Sequence, residues 1–256
     1  MTRDTARQYL NLFAVLIALT INILSNALPL NGLNTGEISD QFNVLFVPAG
    51  YVFSIWGVIY IGWIAFVIFQ FRAAQKASPR MRALGLFFAV SCAFNALWLF
   101  CWHYQRFDLS VVVMLALLIT LILSYLRLNV GRTPVGTTER WCVDIPFGAY
   151  LGWVSVATIA NISDYLDLIH WDGFGTSPEL WAVIMLGVAS LLGLLIALTR
   201  RDAAFLLVFV WAFIGIAIKQ SETALVAPAA WAAALLALIL ALLSIVRAGR
   251  APTAAA

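Results

Sequence analysis

Eight segments of this chain are apolar over roughly the 20 helical residues that are needed to cross a hydrocarbon core of about 30 Å. They run from Tyr9 to Leu28, Ala49 to Phe71, Ala83 to His103, Leu109 to Leu128, Trp141 to Ile162, Glu179 to Thr199, Ala203 to Lys219 and Pro228 to Val246. In addition, 63% of the residues are hydrophobic and only 11% are charged, whereas a soluble domain has roughly a quarter charged residues. The sequence therefore predicts an all-α integral membrane protein with eight transmembrane helices.

The positions of the basic residues predict the topology of these helices. With the N-terminus inside the cell, all but two of the 15 Lys and Arg residues fall on the inner side, the exceptions being Arg106 and Lys219. Because cytoplasmic loops are enriched in basic residues, we expect a multi-pass protein of the inner (cytoplasmic) membrane with both termini in the cytoplasm. The net charge of +3 then indicates attraction to membrane lipids and not to nucleic acid.

Polar residues are concentrated in the first five segments, whereas the last three segments consist mostly of Leu, Ala, Val and Ile. We therefore predict two units, a five-helix ligand-binding bundle over residues 1–173 and a three-helix membrane extension over residues 174–256. The loop between Leu30 and Val47 contains turn-forming Gly, Asn and Asp residues and no basic residue. It is placed to cover the mouth of a pocket in the bundle.

Four of the first five helices carry polar and aromatic residues three or four positions apart, a spacing that puts them on one face. The stripes consist of Asn22 and Asn26 in the first helix, Trp56 and Tyr60 in the second, Asn95 and Trp98 in the third, and Tyr150, Trp153, Ala157 and Asn161 in the fifth. An unpaired amide in hydrocarbon costs a few kcal/mol, so the Asn side chains should face the interior of the bundle. There they could meet a ligand, or they could bond helix to helix.

The depth of two Trp residues favours a pocket. Aromatic belts at the membrane surface account for Trp residues near the segment ends, such as Trp63 and Trp102. Trp56 and Trp153 instead lie about 7 and 12 residues inside their segments, or roughly 10–18 Å from the nearer end. A buried indole needs an acceptor for its N–H or a flat apolar body to pack on, and a bound ligand would supply the latter.

Three motifs in these helices resemble the tryptophan-rich sensory protein family, also called the translocator protein or peripheral benzodiazepine receptor family, over roughly residues 9 to 165. PAGYVFSIWGVIY is similar to the family's proline-containing loop followed by Trp-Gly-x-x-Tyr, and NALW is similar to its Asn-x-x-Trp. YLGWVSVATIAN is similar to its Pro-Tyr-Leu-x-Trp, Ala-Thr and Asn sequence, with Ala149 where the family has proline. Because three further helices follow, the chain resembles an extended form of the family.

The resemblance implies a translocator-like five-helix bundle whose pocket, capped by the first loop, binds tetrapyrroles, sterol-like lipids or aromatic drugs. It also implies a homodimer and an ability to promote porphyrin breakdown. Indole and phenol rings could stack on a flat apolar ligand while the amides meet its polar edge. We therefore expect a sensory or regulatory membrane protein that binds a porphyrin, a haem-like molecule or a sterol-like lipid without covalent attachment.

A small-molecule transporter is the alternative, since a bundle of eight helices could alternate access. An enzyme has less support, because the sequence shows no nucleophile with an adjacent base, no metal-ligand spacing and no phosphate-binding loop. The other ionisable groups are predicted to have surface roles. We expect Asp164 and Asp167 in a solvated acidic loop, His103 at the membrane interface, and Lys219 extended to that interface.

Overall fold

The computed structural model describes residues 2–28 and 30–249. Eight long helices account for most of this part of the chain: α1 (Arg3–Ala27), α2 (Ile55–Gln70), α3 (Phe87–His103), α4 (Phe107–Arg127), α5 (Ile145–Leu168), α6 (Pro178–Thr199), α7 (Ala203–Lys219) and α8 (Val226–Gly249). The connections contain the short helices Thr35–Ser39, Ala73–Lys76, Pro79–Leu84 and Thr137–Glu139, the 3₁₀ turns Leu30–Gly32, Gly50–Ser54 and Gly173–Gly175, and a π turn over Arg140–Asp144. The described residues contain no strand, which confirms the prediction of an all-α chain.

Six helical segments are both long and apolar enough to cross a membrane. They are Arg3–Ala27, Gly50–Gln70, Phe107–Arg127, Thr137–Leu168, Pro178–Thr199 and Val226–Arg247. The other two long helices, α3 and α7, are apolar but have 17 residues each, or about 26 Å at 1.5 Å per residue. The chain is therefore a multi-pass membrane protein.

Several helix ends differ from the sequence prediction, among them the start of α2 at Ile55 and not Ala49, and two of the differences have local reasons. α1 begins at Arg3 and not at Tyr9, because the Thr2 side chain accepts a hydrogen bond from Thr5 N at 3.3 Å and caps the first turn. α5 continues past the predicted end at Ile162 to Leu168. Its last turns thus belong to the helix and not to the following loop.

Most basic residues lie at one end of the bundle, which we call the basic end. There the Arg80 guanidinium ties three elements together, since it donates to Leu128 O at 2.7 Å and pairs with the carboxylates of Glu139 and Asp144. Arg7 of α1 donates to Lys76 O at 2.9 Å in the link between α2 and α3. Several helix ends are thus fixed to one another by arginine.

The helices pack closely where glycine lets two backbones approach. A Cβ atom on Gly62 of α2 would lie 2.9 Å from Pro146 Cβ of α5, and one on Gly152 of α5 would lie 2.9 Å from Phe205 O of α7. Small residues at such crossings permit tight packing inside a membrane. α7 contacts α5, α6 and α8, so the last three helices join the first five chiefly through the α5–α7 contact.

Candidate ligand-binding site

The segment from residue 30 to residue 54, which we call the capping loop, lies across one end of α1, α2 and α3. Its short helix Thr35–Ser39 starts with a capping box in which the Asn34 side chain accepts from Glu37 N at 3.0 Å and Glu37 accepts from Asn34 N at 2.8 Å. These reciprocal bonds satisfy the first backbone donors of the helix. The loop therefore has its own local order.

Two side chains at the end of α3 hold the capping loop in place. The His103 ring lies 3.2 Å from Thr35 Oγ1 through Nε2 and 3.1 Å from Leu30 O through Nδ1. The Trp102 indole donates to Thr35 O at 3.2 Å. His103, which was expected at the membrane interface, is only 1% exposed and is therefore enclosed by protein. Its ring fills the space between α3 and the loop, and both ring nitrogens have a partner there.

α7 holds the other side of the capping loop. The Trp211 indole donates to Val52 O at 3.0 Å, and Ala49 N donates to Gly215 O at 3.2 Å. The Lys219 ammonium pairs with the Asp40 carboxylate at 2.5 Å. Lys219, which was expected to extend to the membrane interface, is thus paired with the loop.

A cavity of about 480 Å³ lies beneath the capping loop, and we call it the larger cavity. It is lined by Asn22 and Asn26 of α1, Trp56 and Tyr60 of α2, Leu99 of α3, and Asn34, Thr35, Gly36, Glu37, Asp40, Gly50, Phe53 and Ser54 of the loop. Sites for drug-sized ligands measure about 300–1,000 Å³. The larger cavity therefore has room for a flat molecule of that size.

A short amide network crosses the bundle at the inner limit of the larger cavity. The Tyr60 hydroxyl donates to Asn22 Oδ1 at 2.6 Å, and Asn22 Nδ2 donates to Asn95 Oδ1 at 2.7 Å. The network links α2, α1 and α3. Asn22 and Asn95 thus form hydrogen bonds between helices, which was one of the two roles that the sequence allowed for them. Asn95 Nδ2 is buried and has no hydrogen-bond partner among the described residues.

A second cavity, of about 30 Å³, lies between α2, α3, α5 and the capping loop, and we call it the smaller cavity. It is lined by Trp56, Trp98, Trp102, Trp153, Val156, Ala157, Ala160, Asn161 and Asp164 together with Ser39, Val47, Pro48 and Phe53 of the loop. Its volume suits one or two water-sized groups. The smaller cavity is thus an aromatic enclosure with a few polar atoms.

The polar atoms of this enclosure are unevenly satisfied. The Trp98 indole donates to Asn161 Oδ1 at 3.0 Å, and Asn161 Nδ2 donates to Ser110 Oγ at 2.9 Å. Trp153 Nε1 and Asp164 Oδ1, by contrast, are buried without a hydrogen-bond partner in the described part of the chain. Because an unpaired buried polar group is costly, these two atoms mark the places where a ligand or water would fit.

Phe53 and Trp56 line both cavities and form the wall between them. The Trp56 ring stacks on Tyr60 with centroids 5.8 Å apart and meets Trp153 edge-on at 6.3 Å. Phe53 meets Trp153 edge-on at 5.7 Å. A molecule in either cavity would touch this wall.

The structure brings eight of the ten predicted site residues to a cavity. Asn22, Asn26, Trp56 and Tyr60 line the larger one, and Trp56, Trp98, Trp153, Ala157 and Asn161 line the smaller one. Asn95 is the last member of the amide network and lines neither cavity, and Tyr150 is buried against Trp56 and Trp63. Asn26 is exposed at the rim and donates to Asn22 O at 2.9 Å.

The cavity residues that were not predicted as site residues include Trp102, Asp164 and Phe53, and helical spacing could have found the first two. Trp102 lies one turn after Trp98, and Asp164 continues the stripe of α5 three residues after Asn161. Asp164 was expected in a solvated loop, but it is 1% exposed. That prediction is wrong because α5 extends to Leu168. Phe53 belongs to the 3₁₀ turn Gly50–Ser54, where spacing rules for α-helices do not apply.

Comparison with known families gives one match that covers most of the chain. A sequence model of the family described as TSPO-like protein matches residues 8–246. The matched range includes α6, α7 and most of α8 as well as α2, α3 and α5, which carry the motifs. No curated protein and no solved structure matches the chain significantly.

Proposed function

The chain belongs to the TSPO-like protein family, and we propose that it binds a flat hydrophobic molecule, a tetrapyrrole or a sterol-like lipid, in the larger cavity. The observation that carries the proposal is a cavity of about 480 Å³ with the stacked Trp56 and Tyr60 rings on one wall. Aromatic rings bind flat apolar surfaces by offset stacking and by the burial of apolar area. Asn26 and Asn34 also line this cavity and offer amide groups to a polar edge.

The proposal includes a membrane arrangement in which all eight long helices cross the bilayer. α3 and α7 are about 26 Å long, which is close to the thickness of the hydrocarbon core of about 30 Å. An even number of crossings brings both termini to the basic end. The rule that basic loops stay inside assigns this end to the cytoplasm and turns the capping loop to the opposite side of the inner membrane.

A sensory or regulatory role fits the contacts of the capping loop. Residues 34–37 and Asp40 of the loop line the larger cavity on one side, while Asp40 is bound to Lys219 of α7 on the other. A ligand that moved the short helix Thr35–Ser39 would thus change contacts outside the cavity. Such differential contacts are what a ligand needs to shift a conformational equilibrium.

Binding is favoured over transport because a hydrogen-bond network closes the inner end of the larger cavity. The Tyr60–Asn22–Asn95 network closes it toward the basic end, and the buried rings of Trp63, Phe66 and Phe88 pack beyond this network. Reconstituted vesicles would distinguish the two functions. Saturable binding without accumulation of the ligand inside the vesicles would support the proposal, whereas accumulation would favour the transporter.

The binding test uses two probes that stand for the two ligand classes. Protoporphyrin dimethyl ester and the fluorescent sterol dehydroergosterol would each be titrated into purified protein in uncharged micelles while Trp fluorescence is followed. We expect saturable quenching by at least one probe. The variant Trp56→Phe should weaken its binding roughly fivefold, because stacking worth about 1 kcal/mol is lost.

The matched control is Trp231→Phe, since Trp231 is half exposed on α8 and lines neither cavity. This variant removes one indole without touching the site, so the affinity should not change. The proposal would be rejected if neither probe quenched saturably, or if Trp56→Phe and Trp231→Phe had the same affinity.

A further inference from the structure

Asp164 is a buried carboxyl group that lacks a matching charge at its site. It is 1% exposed, and its Oδ1 atom has no hydrogen-bond partner among the described residues. Leaving a carboxylate buried and unpaired costs several kcal/mol. A positive group at this position would satisfy the carboxylate.

The surroundings of Asp164 are those that bind cations. Four indole rings, those of Trp56, Trp98, Trp102 and Trp153, line the same cavity. The face of an indole ring attracts an ammonium or guanidinium group, and several rings together form the aromatic cages that bind amines. A carboxylate and an aromatic enclosure in one cavity of about 30 Å³ have the size and the chemistry for one ammonium group.

The described residues do not supply this cation from within the chain. No residue that is described as lining either cavity is basic. Lys219 acts electrostatically on the Asp164 carboxyl, but its ammonium is paired with Asp40 at 2.5 Å. The positive charge that complements Asp164 is therefore left to a ligand.

The larger cavity favours the same charge. Its lining includes Glu37, which is exposed and forms no ion pair with the described residues, and Asp40, whose carboxylate is shared with Lys219. Complementary charge favours a cation here, and an anion would be repelled. Because the two cavities meet at the Phe53 and Trp56 rings, a ligand body in the larger cavity could place a short arm past those rings into the smaller one.

We propose that the site selects a hydrophobic amine, with its flat body in the larger cavity and its ammonium group held by Asp164 among the indoles of the smaller cavity. This inference rests on the proposed function, since it assigns a ligand class to the same site. The arm of the ligand passes between Phe53 and Trp56, so these two rings separate when it binds.

Three probes with one ring system and different charges test the inference. They are 9-anthracenemethylamine, 9-anthracenemethanol and 9-anthracenecarboxylic acid, which are positive, neutral and negative at pH 7. Anthracene accepts energy from excited Trp, so binding would be followed by energy transfer in uncharged micelles, with protein-free micelles as the blank. We expect the amine to bind at least tenfold more tightly than the alcohol, and the carboxylate to bind most weakly.

Variants of α5 assign the preference to one carboxyl group. Asp164→Asn keeps the shape and removes the charge, so the preference for the amine over the alcohol should fall about tenfold, while Asp164→Glu should retain most of it. The matched control is Asp167→Asn, which removes a carboxylate one turn away that lines neither cavity. It should change the preference less than twofold.

The outcomes separate this inference from the function on which it rests. If the alcohol bound but the amine had no advantage in the natural protein, the inference would fail and the binding function would stand. An equal amine preference in Asp164→Asn would also overturn it. If none of the three probes bound although protoporphyrin dimethyl ester or dehydroergosterol did, the inference would fail and the binding function would stand, and if no probe of either set bound, both would fail. The comparison of probes on the natural protein decides the question even if a variant fails to fold.

Discussion

Gly215 of α7 allows the capping loop to dock, and replacing it with alanine should displace that loop. A Cβ atom at this position would overlap Val52 Cγ2 and would lie 3.2 Å from Pro48 Cβ. Overpacking of this kind costs about 1–3 kcal/mol, and the overlap lies next to the bond from Ala49 N to Gly215 O. We expect Gly215→Ala to lower the free energy of unfolding by about that amount relative to a harmless glycine-to-alanine change.

Gly187 of α6 provides that harmless change, because a Cβ atom there would meet nothing within 4 Å. Both substitutions gain the same helix propensity, about 1 kcal/mol. The difference in free energy of unfolding between the two variants therefore isolates the steric effect. Unfolding in mixed micelles by increasing SDS would measure stability, and energy transfer to 9-anthracenemethanol would measure binding in the larger cavity. We expect Gly215→Ala to weaken this binding as well, because the displaced loop lines the cavity. The double variant Gly215→Ala with Val52→Ala should recover part of the lost stability and part of the lost affinity. Equal stability of Gly215→Ala and Gly187→Ala would refute the steric account of the docking.

Three further predictions concern Asp202, Tyr60 and the acidic lining of the larger cavity. Burial raises the pKa of the Asp202 carboxyl to about 6 from an ordinary value of 3.8. The folded state therefore holds this proton more tightly than the unfolded state, and about 3 kcal/mol of stability should be lost as the pH rises from about 4 to about 6. SDS unfolding at several pH values should show this slope in the natural protein and not in Asp202→Asn. The variant Tyr60→Phe removes the donor to Asn22 Oδ1 and should cost about 1–2 kcal/mol, whereas Tyr104→Phe, at an exposed position, should cost nothing measurable. Protoporphyrin dimethyl ester should bind more tightly than the free acid, because the acidic lining repels propionates. Glu37→Gln keeps an acceptor for Asn34 N but removes a negative charge, so the difference in affinity between ester and acid should become smaller. Equal affinities of ester and acid in the natural protein would contradict the charge preference assigned to the cavity.

Most of the fold could be predicted from periodicity and apolar length, because these patterns report directly which residues avoid water. The stripe of α5 led correctly to Trp153, Ala157 and Asn161 at one cavity. The prediction missed Asp164 because a carboxylate near the end of an apolar run is normally solvated. Because α5 continues to Leu168, helical geometry places Asp164 on the buried face all the same.

The position of the capping loop could not be predicted, because contacts distant in sequence determine it. Trp211 lies 159 residues after Val52, whose carbonyl accepts its indole N–H. His103 lies 68 residues after Thr35. No local pattern around any of these residues distinguishes such a partner from an ordinary interfacial aromatic or imidazole group. The prediction of separate units over residues 1–173 and 174–256 was drawn from composition. Composition likewise carries no information about hydrogen bonds between the capping loop and α7.

The docking of the capping loop on α7 has a consequence for the affinity of the cavity. α7 contributes no described residue to the lining of either cavity, but it holds the loop at Val52, Ala49 and Asp40 before any ligand arrives. Ordering a free loop during binding would subtract from the affinity, and preorganisation removes that cost. Because α7 already orders the loop, a ligand binds without the loss of conformational entropy that ordering the loop would cost.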